Sequence, residues 1–254
     1  MISSSRLRVW RDNLRDPSLA ALFALQAVVL FLITPLEACG VSMPTPGPAI
    51  LVFVAASIVV VVSKTKYSGT FGAISLIVSI IGEFFCRQYP SVPSEIIGSV
   101  GEIVALAALG KVVGAAVFGP GRITSARILG AIVLYLNLAM MFGALYRILY
   151  VFHPNSFVGF PSWRDDAIFN SNLYYFSFTT LTCTGFGDIL PIHPLARSLA
   201  NLEAVVGQLY PATLLARVVG LHLQEQRSSL GRAVSSHPSQ TVGHQQASSG
   251  NDET

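Results

Sequence analysis

Two glycines one residue apart, Gly185 and Gly187, stand near the end of the stretch Thr182-Cys183-Thr184-Gly185-Phe186-Gly187-Asp188. The chemistry this pattern suits is the coordination of a dehydrated cation. Such an ion needs oxygens in place of its water shell, presented at closely repeated levels. Backbone carbonyls supply them when successive ones face the same side, which demands unusual dihedrals, and glycine takes φ > 0 without steric cost. The polar residues Thr182, Cys183 and Thr184 extend the ladder upstream. A Gly-x-Gly alone is usually a turn, but Thr-x-Thr-Gly-Phe-Gly-Asp is far more specific. Other chemistries find no support. There is no H-x-x-x-H, no nucleophile beside a base and no phosphate loop, so the chain reads as a non-enzyme without a cofactor. Cys39, Cys86 and Cys183 lack paired spacing, so neither a zinc site nor a disulfide framework is expected.

A ladder of carbonyls needs elements to hold it. The 254 residues are 52% hydrophobic and 11% charged, and the mean hydropathy is +0.60. Soluble domains carry about 25% charged residues, so this chain belongs in lipid. Six segments approach the roughly 20 apolar residues a span requires: 18–36, 47–63, 69–86, 96–118, 126–152 and 195–221. Pro44, Pro46 and Pro48, then Pro90 and Pro93, then Gly119-Pro120-Gly121 break the chain between them. Arg6, Arg8, Arg11 and Arg15 precede the first span, Lys64 and Lys66 follow the second, Arg122 and Arg127 flank the fourth-to-fifth turn, and Arg217 and Arg227 close the sixth. That distribution puts both termini in the cytoplasm.

The candidate ladder falls between spans five and six. Residues 155–166 are polar and irregular, Asn170-Ser171-Asn172 reads as a helix start, and Leu173 to Thr182 reads as a helix of about ten residues. Such a helix is too short to cross the bilayer. Followed by glycine-rich backbone, it predicts a re-entrant loop, buried in protein or lining a watery cavity. The expected fold is therefore an all-α membrane protein of about six transmembrane helices, with a re-entrant pore helix and filter loop between the last two. Its parts are a cytoplasmic segment 1–17, a four-span region 18–118, a pore domain 119–225 and a tail 226–254. The tail, rich in Ser, Gln, Gly and His, is expected to be disordered.

The stretch Cys183-Thr184-Gly185-Phe186-Gly187-Asp188 resembles the filter signature of potassium channels. The resemblance runs from about span five to Arg217 and is to the pore module of two-span channels and the pore half of six-span ones. It implies that Cys183, Thr184, Gly185 and Phe186 give carbonyls to K⁺ and that Asp188 lies at the outer mouth. It also implies that Tyr175 and Phe176 of the pore helix brace the filter, and that Gly207, with Pro211 one turn on, forms a hinge in the inner helix. Four identical loops close the ring, so a homotetramer is implied, with K⁺ and membrane lipid as its partners, no nucleic acid, and a plasma-membrane location.

Three positions depart from the family pattern. Cys183 stands where a threonine hydroxyl is usual, and a thiol is a weaker acceptor. Thr184 replaces a valine and Phe186 a tyrosine. Beside a potassium-selective channel stand a non-selective monovalent cation channel and a non-conducting subunit that keeps the pore fold. Span four carries only Lys111 as a basic residue, and no other span has a basic stripe, so steep voltage gating is not expected. Glu203, within the sixth span, either braces the filter from behind or is a neutral, hydrogen-bonded carboxyl at a helix contact.

Overall fold

The computed structural model describes residues 19–41, 92–119, 125–160 and 166–235. Helix α1 covers Leu19–Ala38, α2 Val92–Val117, α3 Ser125–Phe152, α4 Asp166–Leu181 and α5 Pro194–Ser235. A two-residue strand, β1 (Phe157–Val158), follows α3, and another, β2 (Leu190–Pro191), precedes α5. Among the described residues, three helices are long and apolar enough to cross a membrane: Leu19–Ala38, Val92–Ala115 and Arg127–Phe152. They fall on the expected spans one, four and five. Spans two and three lie outside the described residues, and the expected sixth span, 195–221, lies within α5.

Local sequence explains several boundaries. Pro93 sits in the first turn of α2, where its missing N–H costs nothing. Glu95 follows it, favourable beside the positive helix terminus. Pro194 opens α5 for the same reason, and the imidazole Nδ1 of His193 accepts the Leu195 N–H at 3.3 Å, an N-cap made by histidine. In α1, Pro35 can donate no hydrogen bond, and the turn before it, Val29–Ile33, widens to a π-helix. The Thr34 hydroxyl there donates to the Val29 carbonyl at 2.9 Å.

Two boundaries differ from expectation. Helix α4 has 16 residues and starts at Asp166, so Asn170-Ser171-Asn172 lies inside the helix. Phe169 and Leu173 lock the intervening turn by burial. Helix α5 keeps its backbone helical to Ser235, into the segment read as tail.

The chain divides into two units, one ending at Leu214 and one starting at Leu215. The first holds the core. At one level Leu19 and Leu22 of α1 pack with Leu109 and Val113 of α2 and Ala131 and Val133 of α3. Further along, Val29 and Leu30 meet Leu106, Leu136 and Met140, with Tyr174 and Phe178 of α4 against them. A third, aromatic cluster joins Tyr146 and Tyr150 of α3, Phe157 of β1, Phe169 and Phe176 of α4, and Ala196 of α5. Helix α4 thus sits on α3 with apolar neighbours on several sides. The segment read as irregular carries the β-pair: Phe157 opposes Pro191 and Val158 opposes Leu190, antiparallel.

Candidate cation site

The site begins with how α4 stops. Its last turn closes with two backbone bonds, Thr184 N–H to the Thr179 carbonyl at 2.8 Å and Cys183 N–H to the Thr180 carbonyl at 2.9 Å. This pair is a Schellman motif, whose penultimate position requires a left-handed residue and is usually glycine. Here Cys183 takes that position with φ +56°, alone among the described non-glycine residues. An unbranched side chain tolerates the left-handed region better than a β-branched one.

From this cap the handedness alternates. Cys183, Gly185 and Gly187 have φ of +56°, +56° and +83°, while Thr184 and Phe186 do not have positive φ. In such an alternation successive N–H groups gather on one side. The amides of Cys183, Thr184 and Gly185 accordingly turn back to the carbonyls of Thr180 and Thr179. The Thr182 hydroxyl donates to the Phe178 carbonyl at 2.7 Å and lies 2.8 Å from the Thr184 hydroxyl. Residues Thr182 to Asp188 are all exposed in the single chain.

The supports come from every neighbouring element. Tyr175 stacks on Phe186 with ring centroids 6.1 Å apart and planes 7° apart. Phe176 does not touch Phe186; it turns into the core against Tyr146 and Phe157, at 5.0 and 5.4 Å. Tyr135 of α3 donates to the Leu181 carbonyl at 3.2 Å, satisfying an orphan of the helix end. Glu203 of α5 is fully buried. Tyr146 of α3 donates to its Oε2 at 2.5 Å, and Ser177 of α4 donates to its Oε1. Glu203 is thus a hydrogen-bonded carboxyl joining α3, α4 and α5, an arrangement that both sequence readings accommodate.

Beyond the loop, Gly159 lies so close to the Asp188 carbonyl that a Cβ would stand 2.3 Å from it. The Ser156 carbonyl accepts Ile192 and His193 N–H at 2.9 and 3.2 Å. His153 and His193 stack at 4.6 Å. The β-pair and these contacts strap the end of α3 to the start of α5 across the far end of the loop. Sequence reasoning missed this strap, because a two-residue strand has no periodicity to read.

Gly207 is buried against the end of α4, where a Cβ would meet the Leu181 carbonyl oxygen at 1.9 Å. The need it meets here is close approach. Pro211 is exposed inside α5, which continues through it.

Every one of these residues lies within 123–222, and that segment matches an ion channel family. No curated protein and no solved structure matches the chain. Its apolar helices suit a membrane protein, and residues 123–222 are similar to the ion channel family.

Proposed function

We propose that this chain is one subunit of a homotetrameric channel conducting K⁺ passively across the plasma membrane, without steep voltage gating. In this reading α3 is the outer helix, α4 the re-entrant pore helix, Thr182 to Asp188 the filter and α5 the inner helix. Both termini are cytoplasmic in this reading. The observation that carries it is the alternation of handedness from Cys183 to Gly187, at the end of a 16-residue helix, short of the roughly 20 residues of a full span, inside the segment similar to an ion channel family. Rings of such carbonyls from four copies replace the hydration shell of K⁺.

A second reading, a non-selective monovalent cation channel, draws on one observation. The Cys183 thiol lies 3.8 Å from the Ala204 carbonyl of α5 and donates to it. A thiol held there gives an ion at the inner end a poor ligand.

The test is the reversal potential of purified protein in a bilayer with potassium on one side and sodium on the other. A reversal near the potassium equilibrium potential supports the selective channel. A clear current reversing near zero supports the non-selective one. No current from verified tetramers moves weight to a non-conducting subunit.

A further inference from the structure

The helices that precede the ion channel domain reach α4 through a buried polar contact. Glu102, in the middle of α2, is 5% exposed. Its Oε1 accepts the hydroxyl of Tyr174 at 2.9 Å, and its Oε2 lies 3.8 Å from the guanidinium of Arg147 on α3. To reach Glu102, the Tyr174 ring passes over α3 at Gly143, where a Cβ would stand 3.0 Å from the ring. One turn on, Phe178 meets Phe31 of the π-turn in α1, with ring centroids 5.5 Å apart. Tyr174 and Phe178, four residues apart, share a face of α4. The same helix supplies, through Thr179 and Thr180, the carbonyls that cap the filter backbone.

We propose that Glu102 is a positioning residue for the filter, acting through Tyr174, so that the N-terminal helices set where α4 holds the loop. A carboxylate that contacts a neighbour through each oxygen in an apolar interior constrains geometry, because a shift of α2 strains both contacts at once. A movement of α1 or α2 therefore transmits to Thr179 and Thr180, and from there to the backbone of residues 183–185. This rests on the channel reading of the filter and assigns a task to the region outside the ion channel domain.

The test uses the full-length protein in lipid, with hydrogen exchange of the peptide covering 179–188 as the first readout and potassium current as the second. Tyr174→Phe removes only the hydroxyl, leaving the ring in its slot and the Glu102–Arg147 pair in place. Glu102→Gln is the complementary variant. Each is expected to speed exchange of the 179–188 peptide about tenfold, with exchange in α5 unchanged and the mean open time altered about fivefold. Glu102→Gln also removes the charge that faces Arg147, so the double variant is expected to match Glu102→Gln and to fall short of the sum of the two singles, because the Tyr174 contact is common to both. Unchanged exchange in Tyr174→Phe, additive effects, or acceleration spread evenly over all helices overturns the proposal while the wild-type current stands. A wild-type tetramer that passes no potassium overturns the channel reading and this proposal with it.

Discussion

At the scale of single residues, Cys183 is the position where backbone and chemistry conflict. The Schellman cap wants a left-handed residue, which costs an L-amino acid about 1–2 kcal/mol, and an ion ladder wants an oxygen. Cysteine satisfies the first demand moderately and the second poorly. Cys183→Gly is expected to stabilise the protein by about 0.5–1 kcal/mol, the relieved strain being partly offset by glycine's unfolded-state entropy. Thermal unfolding in detergent measures it. The residue types alone suggest that Cys183→Thr raises conductance or barium block. The positive φ adds a penalty of about 1 kcal/mol or more for a β-branched side chain there. Cys183→Ser restores the hydroxyl without the branch, so it is expected to tighten barium block with little loss of stability; unchanged block in single-channel recordings would show that the side chain contributes no ion ligand.

At the scale of elements, the filter loop is held by the end of α4, and α4 by its neighbours. Gly207 lets α5 lie against the Leu181 carbonyl. Gly207→Ala must push two backbones apart, and an overpacked core loses about 1–3 kcal/mol. The expected result is a lower unfolding midpoint with a faster loss of current; a substitution that alters gating alone, with stability intact, would favour the hinge instead. Glu203 ties three helices. Glu203→Ala leaves the Tyr146 hydroxyl buried without this acceptor, at about 1–3 kcal/mol, while the Ser177 hydroxyl keeps the Ala139 carbonyl at 2.7 Å. Glu203→Gln keeps one acceptor oxygen and is expected to lose less. Ranking the wild type, Gln and Ala forms by thermal midpoint checks the order.

At the scale of the whole molecule, the single chain leaves apolar surface that a folded protein ordinarily covers. Phe186 is 70% exposed, and Leu195, Leu202, Val205 and Leu209 of α5 are each more than half exposed. Their spacing of three, four and seven residues puts those four on one helical face. In the proposed tetramer, neighbouring copies cover that face and close the filter ring. Leu209→Lys is therefore expected to leave the chain folded and to break the assembly. Chemical cross-linking in lipid reads this directly, as a ladder up to four chains for the wild type and a single band for the variant. A four-chain ladder that survives the substitution would place the face elsewhere, against lipid.

Much was legible in the sequence because it depends on neighbours along the chain. Apolar run lengths located the described helices that fit spans one, four and five. The Gly-x-Gly pattern located the loop with alternating φ, since only the backbone freedom of Gly185 and Gly187 makes that alternation cheap. Pro93 and Pro194 stand at helix starts, while Pro35 and Pro211 lie inside helices. What the tertiary structure decided depends on residues far apart in sequence. Glu203 meets Tyr146 and Ser177, 57 and 26 residues away, and Glu102 meets Tyr174 at a separation of 72. No local signal pairs such groups, because a buried carboxyl in one helix is compatible with many partners. The same holds for Gly207, whose close approach to the Leu181 carbonyl no local pattern announces. It holds too for Cys183, whose left-handed backbone follows from how α4 ends and not from the residue's own preference.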